Sequence, residues 1–246
     1  MKLQGVKNQQ ELALSGFQNI MTCNIKIKEL LNTALKAAPN GNFWYQKTEK
    51  DFYNFLVKWM YFLPRPDNAL SMALKFQDLT KIEQAKPFLN NDMIQYWMSQ
   101  FLNAKGDYLN SPSSTKNIPL FFKSKKINMA DFIIPDSGFK SYNEFFVRSL
   151  KPGARPIDGY DDNQIVVSPN DGSIKLLEKH LKLSKDIIAK GDDLKFNAIF
   201  SGVTINLADK FNGGPLLYTQ LGPLDYHHFH APVGGKVLFA SVSRCS

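Results

Sequence analysis

The apolar positions in the first half of the chain repeat with the period of an α-helix. Over residues 52–63 they fall three or four positions apart, which places them on one face of a helix. Thr48 and Asp51 precede this segment with the spacing of a capping box, and Pro64 follows it. The pattern therefore predicts a helix that begins after Thr48 and stops before Pro64.

Two further segments repeat this pattern, one following Asp92 and one covering roughly residues 10–38. Wide apolar stripes of this kind are typical of helices that pack against one another in a core. Turn-forming residues cluster over 106–117, and they indicate where the helical part ends. We therefore predict a helical N-terminal region over 1–115 and a second region over 116–246.

Beyond about residue 160 the pattern changes to short apolar runs separated by Gly, Pro, Asn and Asp, which predicts β-strands. These runs are QIVVS (164–168), SIKLL (173–177), GVTINLA (202–208), PLLYTQL (215–221) and KVLFASV (236–242). No further run follows the last one to pair with it. We therefore expect the α+β class, with the helical region followed by a β-rich domain that is incomplete at its C-terminus.

Lysine gives the chain a formal net charge of +8. No helix-turn-helix, zinc-finger or RNA-binding signature accompanies this charge, so we expect no nucleic-acid partner. The run FFKSKKIN over 121–128 is typical of a solvated surface, and contact with lipid headgroups is the alternative. We find no signal sequence and no apolar run long enough to span a bilayer, which predicts a soluble or peripheral membrane protein.

Three of the four histidines lie in the stretch LDYHHFHAPVGG, residues 224–235. In an extended chain His228 and His230 share one face, and His227 lies with Asp225 on the other. A zinc site needs three or four ligands converging from one side, and no second cluster supplies them, so we expect no metal. The residues alone leave three interpretations open. The histidines could have a structural role in a sheet, one imidazole could transfer protons, or, less favoured, His227 or His230 could bind a metal.

A proton-transferring imidazole needs a carboxylate to hold its ring and tautomer. The best candidate is Asp171 in VVSPNDGSI, residues 166–174, where an apolar run meets an Asn-Asp-Gly turn. Asp followed by Gly is also ordinary turn chemistry, so the spacing by itself does not decide between the two roles.

Three segments taken in order resemble the phosphatidylserine decarboxylase family of proenzymes. They are GFKSYNEFFVRSLKPGARPID (138–158), VVSPNDGSI (166–174) and FNGGPLLYTQLGPLDYHHFHAPVGG (211–235). The family pattern is Phe-Phe-x-Arg leading to Arg-Pro-Ile, then an Asp-Gly turn, then Asp-Tyr-His-x-x-His-x-Pro-x-x-Gly. The family usually has Arg at the position of His228, so this residue is a departure from the pattern.

The resemblance implies a carboxy-lyase that converts phosphatidylserine to phosphatidylethanolamine. In such proenzymes a serine that follows glycine cuts the chain and leaves a pyruvoyl group, whose carbonyl forms a Schiff base with the substrate amine. By resemblance His230 is the base that activates the serine, and Asp171 orients it. His227 is implied to assist decarboxylation or reprotonation.

The family places this serine in a Leu-Gly-Ser motif downstream of the histidines, and the sequence stops eleven residues after Gly235 without one. We therefore expect this chain to be inactive unless a missing C-terminal α chain is supplied. Two alternatives remain. One is a pyruvoyl-dependent decarboxylase of a free aromatic amino acid, because the helical half is similar to the extension of such relatives. The other is a non-catalytic family remnant that binds lipid or a partner.

Overall fold

The chain folds as two compact units, Met1–Lys151 and Pro152–Ser246, and the first is helical whereas the second contains the strands. The predicted α+β class is therefore confirmed. The computed structural model describes residues 8–182, 186–189, 192–195 and 208–237. The predicted strands over 202–208 and 236–242 lie largely outside the described residues.

Eight α-helices account for most of the described part of the first unit. They are α1 (Gln9–Cys23), α2 (Ile25–Lys36), α3 (Glu49–Met60), α4 (Ser71–Thr80), α5 (Lys86–Leu89), α6 (Asp92–Asn110), α7 (Ile118–Phe122) and α8 (Tyr142–Phe146). Within the described ranges, none of these helices combines the length and apolar character needed to cross a membrane.

The helix predicted over 52–63 is α3, and it begins with the predicted capping box. The hydroxyl of Thr48 accepts a hydrogen bond from the Asp51 N–H at 3.3 Å, and the Asp51 carboxylate accepts one from the Thr48 N–H at 2.9 Å. The Thr48 hydroxyl also donates to this carboxylate, and these bonds lower the pKa of Asp51. The helix predicted after Asp92 is confirmed as α6.

The single helix predicted over 10–38 is wrong, because the chain breaks at Asn24 into α1 and α2. The backbone of Asn24 is extended, and its N–H closes α1 by donating to the Ile20 carbonyl at 2.9 Å. Its side chain accepts from the Ile27 N–H at 3.1 Å and so caps the start of α2. Both helices bury apolar residues in the same core, which explains why the apolar pattern runs through the break.

Aromatic side chains form the centre of the helical core. Phe17 contacts Phe52 and Trp97 with ring centroids 5.4 and 4.9 Å apart, and Trp44 contacts Phe52 at 5.2 Å. The indole N–H of Trp97 donates to the Ala13 carbonyl at 2.8 Å, so the buried polar edge of the ring is satisfied. The predicted role of the aromatic stripes, packing between helices, is therefore confirmed.

The helical unit continues past residue 115 to Lys151. The Tyr142 N–H at the start of α8 donates to the Ser114 hydroxyl at 2.7 Å, and the Asn143 amide donates to Asn110 at 2.8 Å. Phe121 in α7 packs on Phe145 with centroids 4.7 Å apart. These contacts attach the segment after 115 to α6, and the start of the family domain at residue 116 stays a prediction.

The described part of the second unit contains two antiparallel strand pairs. Their strands are β1 (Ser173–Glu178), β2 (Asp186–Ala189), β3 (Asp192–Lys195) and β4 (Leu216–Gln220). β1 pairs with β4, from Ser173 opposite Gln220 to Glu178 opposite Leu216, and β2 pairs with β3. The runs predicted at 173–177 and 215–221 are confirmed as β1 and β4, whereas β2 and β3 were not predicted.

The segment 164–168 was predicted as a strand and is not a regular one. Val167 donates its N–H to the Pro232 carbonyl at 3.0 Å, so the two segments lie side by side. Pro169 and Pro232 have no N–H, and a regular ladder cannot pass through them.

Candidate active site

Two backbone hydrogen bonds bring the Asn-Asp-Gly segment and the histidine segment together in the second unit. The His230 N–H donates to the Pro169 carbonyl at 2.8 Å, and the Val167 N–H donates to the Pro232 carbonyl at 3.0 Å. The two bonds share one antiparallel register, with residue 169 opposite 230 and residue 167 opposite 232. Asp171 follows two residues after Pro169, so the fold brings together the two segments that the sequence singled out.

The backbone around Asp171 is held by the side chain of the preceding asparagine. The Asn170 carbonyl oxygen Oδ1 accepts from the Gly172 N–H at 2.7 Å and from the Thr219 hydroxyl at 3.1 Å. A Cβ on Gly172 would lie 2.9 Å from the backbone of Gln220, so this position needs glycine for the close approach of β4. The bend that carries Asp171 is therefore fixed on both sides of the residue.

Arg155 holds the carboxylate of Asp171. Its Nε and Nη2 donate to Oδ2 at 3.0 and 2.9 Å, and Nε also lies 3.2 Å from Oδ1. This charge-assisted pair is 25% exposed on the aspartate and 43% exposed on the arginine. Within the described ranges the carboxylate of Asp171 is bound by Arg155, and the expected hydrogen bond from His230 to Asp171 stays a prediction.

Tyr226 is the centre of the histidine segment. Its buried ring stacks on His228 and His230 with centroids 4.6 and 5.6 Å apart, and its hydroxyl lies 3.2 Å from Nε2 of His230. Residues 226, 228 and 230 therefore share one face, as alternation along an extended chain predicts. His230 itself is exposed, so its ring can be approached by another segment or by a substrate.

His227 belongs to the other side of this segment, and its Nε2 is buried. The neighbouring Asp225 closes a turn, because its carboxylate accepts from the Gly222 N–H at 2.6 Å while its own N–H donates to the Gly222 carbonyl at 3.2 Å. Across the part of the chain that the structure describes, no three His, Cys, Asp or Glu side chains are grouped to hold a metal ion. The roles of Asp171, His227 and His230 in catalysis stay predictions.

The Phe-Phe-x-Arg segment lies in the first unit and contributes to its packing. The guanidinium of Arg148 is buried and lies over the rings of Phe132 and Phe145, 4.1 and 4.9 Å from their centroids. Burial also raises the pKa of the neighbouring Tyr142 to about 12. This part of the family pattern therefore has a structural explanation within the helical unit.

Two residues of the site were missed by reasoning from the sequence. Arg155 lies inside the quoted GARPID segment, and Tyr226 lies between Asp225 and His227 in the histidine stretch itself. Their presence in the motifs was the only available signal, because pairing across sixteen residues leaves no periodic pattern.

Comparison with known proteins supports the family that the sequence resembles. The family model described as phosphatidylserine decarboxylase matches residues 142–242. A phosphatidylserine decarboxylase proenzyme of Fusobacterium nucleatum is 31% identical over 191 residues, which is 78% of this chain and 55% of that protein. The proenzyme of Clostridium kluyveri is 37% identical over 130 residues, 53% of this chain and 42% of that protein.

A third relative, phosphatidylserine decarboxylase proenzyme 3 of Schizosaccharomyces pombe, is 39% identical over 133 residues, 54% of this chain and 13% of that protein. This chain thus spans from about an eighth to about half of the lengths of these curated relatives. The Fusobacterium match is longer than the second unit, so it also reaches into the helical unit. Over residues 142–242, the chain thus matches the phosphatidylserine decarboxylase family.

Proposed function

We propose that this chain supplies the histidine and aspartate of a pyruvoyl-dependent phosphatidylserine decarboxylase, a carboxy-lyase that releases CO₂ and forms phosphatidylethanolamine. The observation that carries the proposal is the hydrogen bond from the His230 N–H to the Pro169 carbonyl at 2.8 Å. It joins the segment that bears the exposed imidazole to the bend that bears Asp171. An imidazole beside a fixed carboxylate is the arrangement that activates a serine hydroxyl.

In the proposed maturation, His230 accepts the proton of a serine hydroxyl as that oxygen adds to the carbonyl carbon of the preceding glycine. The peptide C–N bond breaks, a C–O ester forms, and the imidazolium returns its proton to the amine that is released. Loss of the serine Cα proton to a base and cleavage of its Cβ–O bond then free the glycine carboxylate and leave a Cα=Cβ double bond. Water replaces the amino nitrogen, which leaves as ammonia, and the new N-terminus becomes a pyruvoyl group.

The side chains of the histidine segment fit this chemistry. The imidazole of His230 is exposed, so a serine hydroxyl can approach it, and the Tyr226 hydroxyl lies 3.2 Å from its Nε2. When present, the pyruvoyl group supplies an electron-accepting carbonyl for the loss of CO₂. His227, which lies three residues before His230, would deliver a proton to the product carbon.

A further segment that bears the Leu-Gly-Ser motif is part of this proposal. Several apolar side chains of the second unit are exposed, including Ile174, Leu177 and Phe229. A further segment that packed against this unit could bury such side chains. We infer that an α chain carrying the motif packs against this unit and brings its serine to His230.

The test uses the chain with a C-terminal segment that carries the Leu-Gly-Ser motif, either appended or co-expressed. We expect mass spectrometry to find a cut before the serine and a pyruvoyl group on the new N-terminus. His230→Ala should slow this cleavage by at least about 100-fold, because a general base contributes that much or more. An extended protein that is never cleaved would contradict the proposal.

His228→Arg is the matched control for His230→Ala. Both positions stack on Tyr226, but the family pattern carries arginine at position 228. Cleavage should therefore continue in His228→Arg at close to the parent rate. Equal loss of cleavage in both variants would mean that cleavage requires the stacking on Tyr226 and not a base at position 230.

The substrate is assigned by comparing phosphatidylserine in vesicles with free tyrosine, phenylalanine and tryptophan. We expect the matured protein to release CO₂ from phosphatidylserine and not from the amino acids. The relatives of this chain, which are named as phosphatidylserine decarboxylase proenzymes, support this choice. Release from an aromatic amino acid alone would instead assign the protein to the amino-acid decarboxylases that the sequence left open.

Access to a lipid substrate would be helped by the basic and aromatic segment after α7. Phe122 is 43% exposed, and Lys123, Lys125 and Lys126 are exposed beside it. Each lysine near an anionic membrane is worth about 1 kcal/mol of attraction, which salt weakens. We propose that this segment makes peripheral contact with the membrane.

Sedimentation with phosphatidylserine-containing vesicles tests this contact. Changing Lys123, Lys125 and Lys126 to Glu should abolish salt-sensitive binding. The control changes three exposed lysines elsewhere in the same unit, Lys26, Lys36 and Lys50, to Glu and so matches the change in net charge. If both triple variants lose binding equally, overall charge explains it and the segment has no special role.

A further inference from the structure

We propose that Arg155 is a positioning residue for self-cleavage, because it holds the Asp171 carboxylate in the orientation that His230 needs. This inference rests on the proposed function and adds a residue to its machinery. Arg155 is not one of the residues that the histidine or the Asn-Asp-Gly segments contain. Its role follows from its contacts in the second unit.

The contact between Arg155 and Asp171 is a fork that fixes an orientation. Nε and Nη2 reach Oδ2 at 3.0 and 2.9 Å, and Nε lies 3.2 Å from Oδ1, so the plane of the guanidinium constrains the plane of the carboxylate. The guanidinium is held in turn, since Nη1 donates to the Ala154 carbonyl at 2.8 Å. A lysine ammonium could match the charge but not the planar fork.

The backbone around Asp171 is already held by hydrogen bonds, so the orientation of its carboxylate depends on the side-chain torsion angles. The side chain of Asn170 closes the bend through Gly172 and Thr219, and the backbone of Pro169 is tied to His230. A carboxylate offers about four lone-pair directions, and the fork uses only those that face Arg155. The remaining directions can accept the imidazole N–H while the fork stays in place.

The same pair contributes little to folding. Arg155 is 43% exposed, and ion pairs exposed to this extent add little to the free energy of unfolding. A loss of cleavage without a loss of stability would therefore come from the lost orientation of Asp171.

The first experiment measures self-cleavage in the extended protein that carries the Leu-Gly-Ser motif. We expect Arg155→Gln to slow cleavage by about 10- to 100-fold, as misplacement of a reacting group does. The cleavage rate of Arg155→Lys should lie between those of Arg155→Gln and the parent protein. Guanidinium chloride at millimolar concentration should partly restore the rate of Arg155→Ala, whereas thermal unfolding of all three variants should match the parent protein.

The control is Arg65→Gln, which removes another exposed arginine–aspartate pair, Arg65 with Asp67, in the helical unit. It should cleave at the parent rate. Parent-like cleavage in Arg155→Gln would overturn the positioning role and leave the proposed function intact. Loss of cleavage together with lower thermal stability and no rescue by guanidinium would also overturn it, in favour of a structural role.

A second measurement separates this inference from the proposed function. In the 246-residue chain the Nε–H signal of Arg155 in a ¹H–¹⁵N NMR spectrum should be protected from exchange, and Asp171→Asn should remove that protection. If the signal is protected and the extended parent protein never cleaves, the proposed function fails while the contact stands. If the signal is unprotected in the parent chain, Arg155 does not hold Asp171 and the inference fails.

Discussion

The two units of this chain achieve order in different ways. In the helical unit, aromatic side chains such as Phe52 are completely buried in a continuous core. In the described part of the second unit, Phe229 is 85% exposed and Ile174 is 65% exposed, and order comes from backbone pairing and side chains bonded to turns. The helical unit contains its own hydrophobic driving force, whereas the residues described in the second unit hold the candidate chemistry on a frame with little buried apolar surface.

This contrast is consistent with a candidate site on the less buried unit. Catalytic and binding residues concentrate on loops and turns that a more rigid element positions. Here β1 and β4 provide that element, and the bend at Asp171 and the histidine segment extend from the strand pair. A surface that stays open is also what an incoming serine segment would require.

The largest expected effect comes from truncating a buried aromatic side chain in the helical core. Phe52→Ala should lower the free energy of unfolding of the first unit by about 3–5 kcal/mol, because it removes a fully buried ring that contacts Phe17 and Trp44. Urea unfolding followed by tryptophan fluorescence measures this unit, since all three tryptophans lie in it.

Phe229→Ala is the matched change in the second unit. Since the ring of Phe229 is 85% exposed, the substitution should alter stability by less than about 0.5 kcal/mol. Hydrogen exchange at the β1 and β4 amides provides the measurement. Equal destabilisation of the two units would show that apolar side chains stabilise both units to the same extent.

Gly172→Ala should have a smaller effect than Phe52→Ala, and it tests whether close backbone contact organises the second unit. Gly172→Ala would place a Cβ 2.9 Å from the backbone of Gln220 and 2.6 Å from Oδ1 of Asn170, so β4 or the bend must move. Overpacking of this kind costs about 1–3 kcal/mol, and we expect faster exchange at the β1 and β4 amides.

Gly235→Ala is the control for Gly172→Ala. A Cβ at Gly235 would meet no atom within 4 Å, so exchange in β1 and β4 should stay unchanged. If Gly172→Ala is equally silent, the close approach of β4 does not constrain the bend that carries Asp171.

In both units the sequence predicted the features that have local signals and missed those that depend on the fold. Helix α3 was predicted with its cap because its period and its capping residues are local signals, and the break at Asn24 was missed because both helices bury apolar faces in one core. In the second unit, β1 and β4 were predicted from their apolar runs. The pairing of Arg155 with Asp171 was not, because no local pattern encodes a contact formed by the fold.

The most localised expected effect concerns Lys105, a charged side chain that is largely buried in the helical unit. Its ammonium donates to the carbonyls of Trp59 and Phe62 at 2.8 and 3.2 Å, at the C-terminal end of α3. The carbonyls favour the cation, but burial disfavours it and lowers the pKa of Lys105 to about 8 from 10.5. Desolvation therefore outweighs the attraction of the helix end.

The direction of the resulting pH dependence follows from proton binding. Between pH 8 and 10.5 the unfolded chain keeps a proton on Lys105 that the folded chain has released, so the helical unit should become more stable as pH rises, by roughly 1 kcal/mol per pH unit. Above pH 10 the raised pKa of Tyr142 acts in the opposite direction, because the unfolded tyrosine ionises first. Urea unfolding at pH 7.5–9.5 measures the rise, and Lys105→Met should remove it. If the stability of the parent and of the Lys105→Met variant depended equally on pH, the ammonium of Lys105 would be solvated in the folded chain. The helical interior would then hold no buried charge at this position.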